Sequence, residues 1–182
     1  MTRAIPKTAI ALAAFLALPG TAMAHPGHGS GGGLAEGLLH PLTGADHIAA
    51  LLIAGLWAGA LGARFARVLP LVLTGAMLAG FAMADMVTAP LAEGLIAVTL
   101  AALAAAFALR LRPPLTLAAG LAGLAGLAHG FAHGIEAPDG AAGTGFVIGF
   151  LVSAAALQGL GLLLFAAGKA VLRRRSVAAR GA

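Results

Sequence analysis

Two short stretches hold most of the side chains in this sequence that could do chemistry inside an apolar chain. The first, HPLTGADH at residues 40–47, sets His40, Asp46 and His47 at the head of a run that continues IAALLIAGLWAGAL. The second, LAHGFAHGIE at residues 127–136, carries His129, His133 and Glu136. Positions i, i+4 and i+7 share one face of a helix, so the second stretch presents two imidazoles and a carboxylate side by side. Histidines four residues apart on a helix commonly bind one metal ion. Nitrogen and oxygen donors without sulfur suit a borderline divalent ion such as nickel, cobalt or zinc. The competing explanation is that acid and imidazole simply satisfy each other as buried hydrogen-bonded pairs. It accounts for Asp46 with one histidine more easily than for a His-His-Glu stripe, where each group needs its own partner.

These residues must be positioned by membrane helices. Of 182 residues, 60% are hydrophobic and only 9% charged, far below the roughly 25% charged of soluble domains. There is no cysteine, which excludes disulfides, iron–sulfur clusters and thiolate metal sites. Residues 1–24 read as a signal peptide: Arg3 and Lys7, then the apolar TAIALAAFLAL, then Ala22-Met23-Ala24 as the cleavage site. A polar, flexible His/Gly-rich segment, 25–33, follows. Five apolar segments come next, at about 34–63, 68–87, 90–109, 114–134 and 144–168, each long enough to cross a bilayer of about 30 Å. The first is too long for one straight helix, and Pro41 and Gly44 are expected to break it. The transmembrane helical domain thus covers 34–172, with a basic tail at 173–182. The expected fold is an all-α integral membrane protein of about five transmembrane helices.

Orientation follows from the cations. Arg64 and Arg67, Arg110 and Arg112, and Lys169 with Arg173, Arg174 and Arg175 all fall at one side of a five-span bundle. The positive-inside rule makes that side cytoplasmic, with the N-terminus out and the C-terminus in. All the histidines, and all the acids, then lie at or near the outer side, where they would attract cations. Such spacing of cations between apolar runs does not indicate nucleic-acid binding. Gly55 and Gly59, and Gly126, Gly130 and Gly134, recur every four residues and would let helix backbones approach closely, although no helix pair can be assigned from them. Gln158 and Ser153 read as interhelical hydrogen-bonding groups, and Met77, Met83 and Met86 as packing. Glu93 opens the third segment either as a ligand or as a helix-end charge.

The same stretches resemble the HupE/UreJ family. HPLTGADHIAALLIAGLWA is similar to its first-helix signature, HGFAHGIE to its fourth-helix motif and AEGLIAVTLAAL to its Glu-led third helix. AHPGHG at 24–29 is similar too, so the likeness covers essentially the whole chain. The resemblance implies a secondary permease for divalent nickel or cobalt, associated with a nickel enzyme such as hydrogenase or urease. It also implies metal roles for His40, Asp46, His47, Glu93, His133 and Glu136, with His129 beside them.

The function expected is metal uptake across the bacterial inner membrane, with Ni2+ or Co2+ as cargo and no prosthetic group. Partners are the ion and the bilayer, and the chain is compatible with a homo-oligomer. No GxxxxGK[ST] stretch for P-loop ATP hydrolysis occurs. Two other readings stay open: a membrane metal-binding accessory protein that does not translocate, and an intramembrane zinc hydrolase, which neither a substrate motif nor a nucleophile supports and for which HExxH is absent.

Overall fold

In the computed structural model, residues 33–180 are described; the expected signal peptide and the polar segment with His25 and His28 lie outside them, save Gly33. The described residues form helices and no strand. In chain order these are α1 (Gly33–Thr43), α2 (Ala45–Leu61), α3 (Ala63–Ala82), a 3-10 turn (Ala84–Met86), α4 (Ala89–Ala108), α5 (Leu115–Glu136) and α6 (Gly140–Ala178).

Local sequence explains most of the boundaries. α2 ends at Gly62, whose φ of 115° belongs to glycine, and whose N–H caps the carbonyls of Ala58 and Gly59. α4 starts with Pro90 in its first turn, and α5 follows Pro113-Pro114, because proline needs no donor at a helix start. Four helices are long and apolar enough to cross a membrane, and the α1–α2 pair makes a fifth span if counted as one. α1 has 11 residues and α2 has 17, about 16 and 25 Å of helix, so neither matches the hydrocarbon thickness comfortably alone.

The expected break is at Gly44, where α1 and α2 meet at 80°. Pro41 is not at the break. It lies buried inside the last turn of α1, and Thr43 Oγ1 donates to the His40 carbonyl at 2.8 Å. The fifth apolar segment also runs further than the sequence indicates. α6 is 39 residues long and carries Arg173, Arg174 and Arg175 on continuous, exposed helix.

Packing inside the bundle depends on small residues. Lipid is as apolar as leucine, so helices associate through close contact rather than by escaping water. α3 packs on α5, where a Cβ on Gly80 or Gly130 would strike the opposing backbone, and α2 packs on α6 through Gly55 and Gly161. α1 lies on the first turns of α6, with Gly37 against the Phe146 backbone. Trp57, Leu51, Met77, Leu103 and Phe150 fill the core. Leu71, Val98, Leu117 and Leu163 face outward, each about two-thirds exposed or more, which is the surface a bilayer would cover.

Candidate metal centre

His40 comes from the last turn of α1, Asp46 and His47 from the first turn of α2, and His133 and Glu136 from the last turn of α5. They meet at one end of the bundle. His40, His47 and His133 each offer a ring nitrogen within 4.8 Å of the others. His47 and His133, 86 residues apart in sequence, face each other with their Nε2 atoms 2.5 Å apart.

The tautomers follow from the partners. An ionised carboxylate only accepts hydrogen bonds. His47 Nδ1 therefore donates to Asp46 Oδ1 at 3.1 Å, and His133 Nδ1 donates to Glu136 Oε2 at 3.2 Å. In each neutral ring the remaining nitrogen, Nε2, carries a lone pair, and the two lone pairs converge. Two acceptors that close repel one another unless a cation, a proton or a metal ion, is shared between them. Carboxylates that hold Nδ1–H and so present Nε2 are the usual outer partners of metal-binding histidines. His40 Nε2 lies 3.9 Å from the same Glu136 oxygen, and the His40 ring centre is 4.7 Å from that of His133.

Burial grades across the group. The Asp46 and Glu136 side chains are close to half exposed, whereas His47 and His133 are buried. A cation would meet carboxylate charge first and imidazole beneath it. The Phe150 ring lies tilted 4.6 Å from that of His133 and the Phe146 ring 5.5 Å from that of His40, and both phenylalanines are buried, forming an apolar wall. An open cavity of about 260 Å³ is lined by Phe81, Gly134, Asp85 and Asp139, with the Phe81 ring 5.5 Å from that of Phe150.

Gly44 is required by the site rather than by the turn. Its backbone is ordinarily extended, but a Cβ there would collide with His47 Nδ1 and lie 2.8 Å from Asp46 Oδ1. Neither this close approach nor the phenylalanine wall was foreseen from sequence. Phe146 and Phe150, four apart on one helix face, were the available signal.

His129 sits one turn deeper on α5 than His133, fully buried, with its ring centre 5.7 Å from that of His47. It is outside the group of three. Glu93 is exposed on α4 and, among the described residues, is not brought to the cluster. Gln158 is the interhelical group expected: its Nε2 donates to Thr74 Oγ1 on α3 at 3.2 Å.

Comparison with known proteins identifies the family. Residues 13–182 match the family described as HupE / UreJ protein. Protein HupE of Rhizobium leguminosarum bv. viciae is 39% identical over 163 residues, covering 86% of this chain and 83% of that protein. No solved structure matches the chain. With the match running through both histidine stretches and nearly end to end, the chain belongs to the HupE/UreJ family.

Proposed function

We propose that this protein is a secondary permease that carries Ni2+ or Co2+ inward across the bacterial inner membrane. The observation that carries the reading is the convergence of His40, His47 and His133 from three helices, with Asp46 and Glu136 holding two of the rings by Nδ1. Membership of the HupE/UreJ family supports a metal-related role. The half-exposed carboxylates would face outside, the N-terminus would be external and the Arg-rich end of α6 cytoplasmic, in keeping with the positive-inside rule.

The ion would exchange water for imidazole and carboxylate at the outer end of the bundle. An inside-negative potential supplies about 2.3 kcal/mol per charge per 100 mV, hence roughly 4.6 kcal/mol for a divalent ion. That is sufficient drive without ATP. Rearrangement at the Gly44 joint would open the site inward, since a break between two helices absorbs motion that a continuous helix cannot. The metal is cargo, the chain performs no catalysis in this scheme, and a nickel enzyme such as a hydrogenase or urease would be the eventual recipient.

The test is uptake of radiolabelled nickel and cobalt into proteoliposomes with an imposed inside-negative potential. Accumulation that depends on the potential and is lost in His47→Ala is expected. Binding without flux in the wild type would overturn the permease and leave an accessory metal-binding protein.

A further inference from the structure

The group of three leaves His129 unexplained. Its Nδ1 lies 2.8 Å from the Ala125 carbonyl, which only accepts, so Nδ1 carries the proton and Nε2 is a bare acceptor. That Nε2 is sealed from solvent and, among the described residues, has no partner. Leaving a buried acceptor unpaired is unfavourable, and native structures rarely do so without a reason.

A structural role does not supply one. The hydrogen bond of His129 runs to its own helix four residues back, so it joins no two helices. A leucine there would fill space without the unpaired nitrogen. The position instead suits a ligand. His129 is one helical turn from His133 on the side away from Glu136, about 6 Å further into the bundle. With metal–nitrogen bonds of about 2.1 Å, two imidazoles on one ion have ring centres roughly 4.5–6.5 Å apart. The His47–His129 separation of 5.7 Å falls within that range. His133 is at its limit from His129, at 6.4 Å.

We propose that His129 forms, with His47, a second and deeper metal position, so that an ion leaves the His40–His47–His133 cluster by exchanging His40 and His133 for His129 while His47 stays bound. Resting on the permease reading, this adds the direction of the first step inward. Sharing His47 means that the two positions are alternatives, and the chain holds one ion at a time.

The experiment uses the full-length protein with Co2+ as probe. His129→Ala and His129→Gln are compared with wild type by Co2+ titration of the purified protein and by 57Co uptake into proteoliposomes. The glutamine variant keeps an amide donor for the Ala125 carbonyl. Both variants are expected to bind one Co2+ per chain with affinity within about 3-fold of wild type, which also reports intact folding, while initial uptake falls at least 10-fold. Equal losses of affinity and uptake in both variants would place His129 in the first site and overturn the relay. Unchanged uptake would make it a packing residue and overturn the relay likewise. Wild-type protein that binds cobalt but moves none would overturn the permease reading and the relay together.

Discussion

α5 brings His129, His133 and Glu136 to one face within a single continuous helix, whereas His40 and His47 reach the same place from two helices joined at 80°. On α5 the spacing is set by helical periodicity, and nothing outside the helix is needed to align the three side chains. On the α1–α2 arm alignment depends on where the chain bends and on what each half packs against. His40 is held because α1 lies on α6, and His47 because α2 packs on α6 through Gly55. One arm is a rigid wall of the site and the other a joint. That contrast indicates which side would move if the site is to open in two directions.

The largest expected effect treats both arms alike. His47→Ala and His133→Ala should each reduce uptake at low metal concentration by about 100-fold or more, since each removes an imidazole from a shared ion. The double variant should be little worse than either single, because groups acting as one unit are non-additive. Independent, multiplying losses measured in the same proteoliposome assay would separate the arms into two sites.

Smaller effects sharpen the difference. Gly44→Ala should lower uptake several tens of fold, because the new methyl displaces His47 Nδ1 and Asp46 Oδ1 from one another. Gly120→Ala on α5 meets open space and should leave uptake unchanged, while raising thermal stability by up to about 1 kcal/mol. If both alanines behave the same way, the joint has no special geometry. Asp46→Asn and Glu136→Gln should each weaken Co2+ binding by about 10-fold, the lower end of what loss of an orienting carboxylate costs. Titration of the purified variants reads this directly. A selective loss on the α1–α2 arm would mean that only His47 depends on its carboxylate for orientation.

Much of this site is legible in the sequence. His129, His133 and Glu136 share a face by spacing alone, and Asp46 must neighbour His47 in any conformation. The broken first segment was evident from its length and from Gly44, but Pro41 was a misleading signal. It lies within α1, where its ring fixes a helical φ and it is fully buried. Glu93 shows the opposite difficulty. Its place at the head of an apolar segment fits a ligand and a helix-end charge equally, and the structure puts it on an exposed face of α4 away from the histidines.

Composition and periodicity by themselves determined an all-helical chain with apolar spans, the cations and acids at opposite ends, and the donor types of the site, because these depend only on local residue order and on transfer out of water. Which glycines pair, that Gly80 and Gly130 bring α3 onto α5 while Gly55 and Gly161 bring α2 onto α6, was decided only in three dimensions. So was the meeting of His40 and His47 with His133. The physical reason is that backbone-to-backbone contact in lipid depends on both surfaces at once, and small residues are too frequent here for one surface to name its partner.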